Sequence, residues 1–287
     1  MLTVLEAINK STDFLQQKGI ESARTNAELL LASILKCKRL DLYLKFDRPL
    51  GEIEIDAYRE FISRRSKFEP LQYITGIVEF CNLELKVNPD VLIPRPETEF
   101  LVETVVEIIK NKNEISVLDI GTGSGAIAVS LANKLQNKKV TAIDISEKAL
   151  AVAMENADKY LLKEKINFSR FNVLNDDLTK LGKFDVVVSN PPYVSADEYK
   201  NLQKEIREYE PPKAVTDFED GFKFYKAITY KSNSILNENG MLFFELEANS
   251  SNKVEKFLLE NNFVNINKVR DYSGFERIIY GMKKWKR

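Results

Sequence analysis

Histidine is absent from all 287 residues. That absence removes Ser-His-Asp and Cys-His machinery, both of which need an imidazole to carry a proton. Cysteine is scarce: Cys37 and Cys81 lie far apart without the paired spacing of a structural zinc site. Both read as small buried apolar side chains of a protein in a reducing compartment. No apolar run reaches the ~18 residues of a membrane span. The start, Met1-Leu2-Thr3-Val4-Leu5-Glu6, lacks the basic n-region and long apolar core of a signal peptide. A cytoplasmic protein with no membrane partner is therefore expected. An excess of one charge is missing too, because 42 Lys+Arg face 43 Asp+Glu for a formal net charge of -1, so nothing advertises a polyanionic partner. Whatever chemistry the chain performs must rest on positioning, carboxylates, amides and a cofactor.

The length suggests one small and one average domain. Residues 1–70 read as a helical bundle. Thr3-x-x-Glu6 fits a capping box ahead of the stripe Val4, Leu5, Ile8, Phe14, Leu15, with Gly19 as the stop. Ser22 is the expected cap of a second helix, Leu40 to Phe46 a short third, and Ile55 to Lys67 a fourth ending before Pro70. Two roles stay open for this bundle, a stability cap for its neighbour or a docking module for a macromolecular substrate. Residues 71–90 read as a β-hairpin connector from the alternation between Leu71 and Val87. Residues 91–287 begin with the proline-bracketed Leu92-Ile93-Pro94-Arg95-Pro96-Glu97-Thr98-Glu99, whose rigid frame would place Arg95 or a neighbour at the mouth of a cofactor site.

Beyond it, strands alternate with helices: Ser116 to Ile120, Val140 to Asp144, Ile166 to Phe171 and Asp185 to Ser189 as strands, with Ala126 to Ala132 and Glu147 to Tyr160 as helices. This order implies a parallel α/β sheet. A helix over Gly221 to Leu236, strand five over Met241 to Glu245, a helix over Asn252 to Leu259 and two last strands joined at Tyr272-Ser273-Gly274 complete it. The basic tail Lys283 to Arg287 is expected to be solvated.

Between the first strand and its helix lies Gly121-Thr122-Gly123-Ser124-Gly125, and Asp144 ends the next strand. Glycines let a backbone approach a ligand closely, and an acid at that distance accepts ribose hydroxyl protons, so this is a nucleoside-binding unit. The loop also satisfies a dinucleotide fingerprint. Asp119, two residues before the first glycine, argues for S-adenosylmethionine, because its carboxylate would meet the methionine ammonium and repel a pyrophosphate. At the end of the third strand Asn172 would accept from the adenine amine and Val173 would pack on its face.

The stretch Asn190-Pro191-Pro192-Tyr193 follows the apolar run Phe184 to Val188, so it sits at a strand's C-terminal end, where open α/β sheets place ligands. Two prolines fix two φ angles, remove two N–H donors and hold the preceding residues extended. Carbonyl acceptors are left with few competing donors, a clamp for a planar group carrying –NH2 beside the face of Tyr193. A hydride-transfer enzyme would have no use for it.

Asp119 to Gly125, Asp144 and Asn190 to Tyr193 together resemble a class I S-adenosylmethionine-dependent methyltransferase with a Rossmann-like seven-stranded sheet. With Gln72-Tyr73-Ile74-Thr75-Gly76, Leu92 to Glu99 and Arg270-Asp271-Tyr272, the chain resembles over its whole length the HemK/PrmC family, the glutamine methyltransferases of peptide chain release factors. The resemblance implies transfer of a methyl group from S-adenosyl-L-methionine, leaving S-adenosyl-L-homocysteine, to the glutamine amide of the Gly-Gly-Gln motif in class I release factors. The helical bundle is expected to dock the factor, a monomer is expected, and the balanced charge argues against direct nucleic-acid contact. Asp119, Gly121, Thr122, Gly123, Ser124, Gly125, Asp144, Asn172, Val173 and Asn190 would hold the cofactor. Asn190, Pro191, Pro192 and Tyr193 would hold the glutamine, and no metal is implied. Asn172 stands where the family often has Asp, and Glu247 and Ser250 replace an expected Gly and Gln. A methyltransferase acting on a nucleobase amine is the runner-up. A release-factor-binding or cofactor-sensing module is the non-enzymatic rival.

Overall fold

Residues 2–112, 114–135 and 139–284 are described by a computed structural model of the chain. Its contacts divide into two units, one of Met1–Ile77 with Gln203–Tyr209 and the other of Val78–Leu202 with Glu210–Arg287.

The first unit packs α1 (Val4–Gln17), α2 (Ala23–Ile34), a 3-10 turn over Arg39–Lys45, α3 (Glu52–Arg65) and α4 (Leu71–Thr75) around Ile8, Leu15, Leu30, Leu31 and Leu42. The capping box forms as expected, Glu6 N–H donating to Thr3 Oγ1 at 3.3 Å and Thr3 N–H to Glu6 Oε2 at 2.9 Å. Ser22 does not cap α2: it sits at φ 50° and its hydroxyl accepts no cap hydrogen bond. Leu71 to Gly76 also departs from expectation, forming α4 instead of the opening of a hairpin. Pro70 presets the entry, Tyr73 and Ile74 bury their side chains, and Gly76, at φ 78°, ends the turn with its N–H on the Gln72 carbonyl at 2.8 Å. The hairpin is shorter, β1 (Ile77–Phe80) and β2 (Leu83–Lys86). Cys81 and Asn82 between them both take positive φ, 50° and 62°, as a tight two-residue hairpin turn requires. Both cysteines are free thiols.

The second unit continues with α5 (Pro96–Ile109), β3 (Ser116–Ile120), α6 (Ala126–Lys134), β4 (Lys139–Asp144), α7 (Glu147–Lys159), β5 (Ile166–Arg170) and β6 (Phe184–Ser189). After them come α8 (Ala196–Tyr199), α9 (Lys204–Tyr209, in the first unit), α10 (Pro212–Val215), α11 (Lys223–Ile235), β7 (Leu236–Glu245), α12 (Ser251–Glu260), β8 (Phe263–Arg270) and β9 (Glu276–Lys283). The seven strands run in the order β5-β4-β3-β6-β7-β9-β8. β3 to β7 are parallel, and β9 is inserted antiparallel to both β7 and β8.

Alternating side chains of each strand go to opposite faces. Val117, Val186 and Val188 join α5, α6 and part of α7, whereas Leu118, Ile120 and Val187 join α11 and α12. Burial on both faces explains why these strands read as unbroken apolar runs. β7 begins at Leu236, five residues before its apolar run, because it follows α11 directly and crosses a register shift against β6 between Phe184 and Val186. Of the basic tail, Lys283 closes β9 and donates its Nζ to the Leu236 carbonyl at 2.8 Å. Trp285, Lys286 and Arg287 lie outside the described residues.

Candidate active site

Strand order places the site. β4 and β5 extend the sheet on one side of β3, and β6 and β7 on the other, so the chain reverses direction of growth between β3 and β6. Ligands of open α/β sheets bind at such a switch point, beyond the C-terminal strand ends. Ile120, the end of β3, is in register with Ser189, the end of β6, and the buried Ser189 hydroxyl donates to the Ile120 carbonyl at 2.8 Å. The glycine loop and Asn190 to Tyr193 therefore leave the sheet side by side.

The loop is folded back onto β4. Gly121 and Thr122 both donate their N–H groups to the Ile143 carbonyl, at 2.8 and 3.0 Å. Asp144 then ties the loop to the start of α7: Oδ2 accepts from Gly123 N–H and Oδ1 from Ser146 N–H, each at 2.9 Å. Burial raises its pKa, and these backbone donors pull it back. Gly121 and Gly123, at φ 77° and 55°, would present a Cβ to open space, the free approach a ligand needs. Gly125 serves packing instead, since a Cβ there would stand 2.9 Å from the Ala153 Cβ on α7. Ser124 is buried, its carbonyl accepting from Asn156 Nδ2 at 2.8 Å.

Beneath the loop Asp119 is fully buried. Thr122 Oγ1 donates to its Oδ2 at 2.7 Å, while Oδ1 has no hydrogen-bond partner among the described residues. Burial pushes this carboxyl up to about 7, against the pull of the Thr122 hydroxyl. At β5's end, Asn172 Oδ1 accepts the Leu174 N–H at 2.9 Å and its own N–H donates to Asp176 Oδ2 at 2.7 Å, so its side chain builds the local turn. One lone pair of that oxygen is left for a ligand. Val173 is packed in the core with Leu118 and Ile143.

On the other side of the switch point Asn190 is half-buried and Pro191 buried. Asn190 Nδ2 donates to Thr98 Oγ1 at 3.1 Å, from the first turn of α5. Tyr193 Oη donates to Glu245 Oε1 at 3.3 Å, at the end of β7. Burial raises the pKa of that hydroxyl and keeps it protonated. Arg95, expected with its neighbours at the mouth of a cofactor site, is anchored by an ion pair to the buried Glu210 at 2.5 Å, and nearby Thr98 reaches Asn190 instead.

Three further residues belong to this side. Glu245 is buried, and its Oε2 has no hydrogen-bond partner among the described residues. Burial lifts its carboxyl to about 7, against the pull of the Tyr193 hydroxyl. Asp217 gathers the loop behind the motif, Oδ1 accepting from Glu219 and Gly221 N–H at 2.7 and 3.0 Å and Oδ2 from Lys223 N–H at 3.1 Å. Gly221 (φ 79°) presses on the motif itself, for a Cβ there would lie 2.3 Å from the Tyr193 carbonyl oxygen. Glu245 carried a signal that sequence reading passes over: like Asp144, it is an acid closing an apolar strand. Asp217 and Gly221 carried none, because their function is set by contacts between loops.

A family model described as the PrmC N-terminal domain matches residues 6–76, and the methyltransferase small domain matches residues 96–208. The release factor glutamine methyltransferase of Fusobacterium nucleatum is 41% identical over 281 residues, 97% of this chain and 78% of that one. The chain belongs to the release factor glutamine methyltransferase family. The member from Chlorobaculum tepidum is 38% identical, over 96% of this chain and 95% of its own. A crystal structure of a methyltransferase from Pyrococcus furiosus shares the fold, with TM-score 0.52 and 19% identity over 71% of this chain and 90% of that one. As a member of this family the chain is an S-adenosylmethionine-dependent methyltransferase of the α/β class. Its residues fit that donor: a buried carboxylate with an unfilled acceptor oxygen under the loop and two glycines facing open space.

Proposed function

We propose that this chain methylates the side-chain amide nitrogen of the glutamine in the Gly-Gly-Gln motif of class I peptide chain release factors, in the cytoplasm and as a monomer. The observation that carries the reading is Asn190-Pro191-Pro192-Tyr193 leaving β6 beside the glycine loop, in a chain similar to release factor glutamine methyltransferases over nearly its full length.

Asp119 would bind the methionine ammonium of S-adenosylmethionine, Asp144 the ribose hydroxyls, residues 121–125 the adjoining backbone-facing atoms, and Asn172 with Val173 the adenine. When bound, S-adenosylmethionine supplies an electrophilic methyl carbon on a cationic sulfur. An amide nitrogen is a poor nucleophile, since its lone pair is delocalised into the carbonyl. Asn190 Oδ1 and the Pro191 carbonyl would accept its two hydrogens, enriching the nitrogen and fixing its direction, while the Tyr193 ring supports the amide plane. Each neutral hydrogen bond contributes only about 0.5–1.5 kcal/mol. Orientation in a water-excluded site supplies more, up to ~7–11 kcal/mol. The proton leaves to water after transfer, so no histidine is required. The bundle of the first unit would dock the factor.

The test is incubation with labelled S-adenosylmethionine and a release factor, its Gly-Gly-Gln→Gly-Gly-Ala variant, DNA or RNA. Label should enter the factor and not its variant. Label in nucleic acid but not in the factor would replace this reading with that of a nucleobase methyltransferase.

A further inference from the structure

We propose that Glu210 is a positioning residue of the methyl-acceptor site, acting through Arg95 and Thr98 to hold the Asn190 amide with its oxygen toward the substrate. The proposal rests on the functional reading above and concerns a carboxylate and a hydroxyl that are both buried.

The segment Ile93-Pro94-Arg95-Pro96 has little means of holding itself. Its two prolines offer no N–H, and they push Ile93 and Arg95 toward extended geometry. Arg95 lies there, at φ -96° and ψ 146°. One buried carboxylate grips the segment at two points. Glu210 Oε2 accepts from the Ile93 N–H at 3.2 Å, and Oε1 accepts from Arg95 Nη2 at 2.5 Å. Hydrogen bonds to an ionised acceptor are stronger than neutral ones, so this is a stiff anchor. Arg95 is also the residue before α5, with Pro96 opening the helix. Its side chain does not cap α5, but its carbonyl accepts the Thr98 N–H at 3.0 Å. Where Glu210 sets Arg95, the main chain therefore sets Thr98.

Thr98 in turn sets the clamp. Asn190 Nδ2 donates to its Oγ1 at 3.1 Å. A carboxamide has one oxygen and one –NH2, so with the nitrogen engaged Oδ1 is the end left for a substrate –NH2. Turned over, the Asn190 amide would meet the substrate donor against donor. The tolerance is small. A displacement of about 0.5 Å at the first turn of α5 would carry this contact to ~3.6 Å, where it is no longer a hydrogen bond. Glu210 removes that freedom from a position far along the chain, where it touches the segment before α5 and not the clamp itself.

The experiment is a double-mutant cycle on turnover. Wild type, Glu210→Gln, Thr98→Val and the double variant are assayed for kcat and KM with the release factor at saturating S-adenosylmethionine, with Thr98→Ser as the conservative control. Affinity for S-adenosylhomocysteine and the thermal midpoint are followed in parallel. Thr98→Val should lose about tenfold in kcat with cofactor-product affinity unchanged, and Thr98→Ser, which keeps the hydroxyl, should recover most of it. Glu210→Gln should lose a similar factor in kcat. Because the two residues act in series, the double variant should be no more than about threefold slower than Thr98→Val alone. If Glu210→Gln does not fold, Arg95→Lys, which keeps the charge and loses the planar fork, takes its place in the cycle with the same expected outcome. Losses that multiply to about a hundredfold in the double variant, or wild-type kcat in Glu210→Gln, would overturn the proposal while leaving the functional reading intact. A wild-type protein that methylates nucleic acid and not the factor would overturn the functional reading, and this proposal with it.

Discussion

A carboxylate buried without a full set of partners is a liability in the free protein and an asset for binding a cation, and Asp119 shows both. Its carboxyl is lifted from an ordinary 3.8 to about 7, chiefly by burial. A raised folded-state pKa means that ionisation opposes folding. The stability held by the protonated form is complete below about pH 4 and is lost as pH rises through about 7. Asp119→Asn should therefore gain on the wild type between pH 5 and pH 8, by on the order of 2–4 kcal/mol, in urea unfolding of the ligand-free protein. A difference between the two that is flat with pH would refute the assignment. Asp144 and Asn190 divide along another line. Removing Asp144 frees the N–H groups of both Gly123 and Ser146, so Asp144→Ala should weaken S-adenosylmethionine binding by about tenfold or more. Asn190→Ala should lower kcat far more than it weakens that binding. Calorimetry alongside steady-state kinetics separates them, and equal loss of cofactor affinity in both would end the division of roles.

At the level of elements, the loop between β6 and α11 is as much part of the site as the strands. Val194 N–H bonds the Val215 carbonyl at 3.1 Å and Ala196 N–H the Glu219 carbonyl at 3.0 Å, so the chain after Tyr193 is clasped by residues some twenty positions on. Gly221 closes this clasp against the Tyr193 carbonyl. Gly221→Ala must move backbone as well as strain φ, and should cost about 2 kcal/mol or more. Gly123→Ala, with open space around its Cβ and only φ 55° to pay for, should cost about 1 kcal/mol. Thermal unfolding of the two variants ranks them, and an equal shift would show that the clasp is looser than the contact implies. This is also where legibility in sequence varies most. β3, β4 and β6 are buried on both faces and announce themselves as apolar runs, and the Thr3–Glu6 box marks its helix by local hydrogen bonds alone. α8 and α10 have four residues each and no apolar period to display. Ser22, with a good capping residue's chemistry, fails as a cap because the turn before α2 puts it at φ 50°.

On the scale of the molecule, the chain visits its first unit twice, at Met1–Ile77 and again at Gln203–Tyr209. Arg65 explains the return. Its side chain is 5% exposed and is met by Glu205 at 2.5 Å, Asn26 at 2.7 Å and the Glu69 carbonyl at 3.0 Å. Glu205→Ala would leave a buried guanidinium short of its counter-charge. The carboxylate is itself about a third exposed, so the loss should be about 1–2 kcal/mol. Faster hydrogen exchange in α2 and α3 is the measurement, and unchanged protection there would show the pairing to be dispensable.

Local patterns in the chain were enough to determine the strand–loop–helix order, the glycine loop with Asp119 and Asp144, and the Asn190 to Tyr193 motif. Each of these is written in neighbouring residues, whether as an apolar run, a left-handed turn or a pair of fixed proline angles. Tertiary structure alone decided what surrounds them. The sheet order brought β3 and β6 edge to edge, α5 laid Thr98 on Asn190, and β7 carried Glu245 to Tyr193. These pairings join residues 92 and 52 positions apart. They exist only because burying both faces of one sheet forces distant segments to share its C-terminal edge.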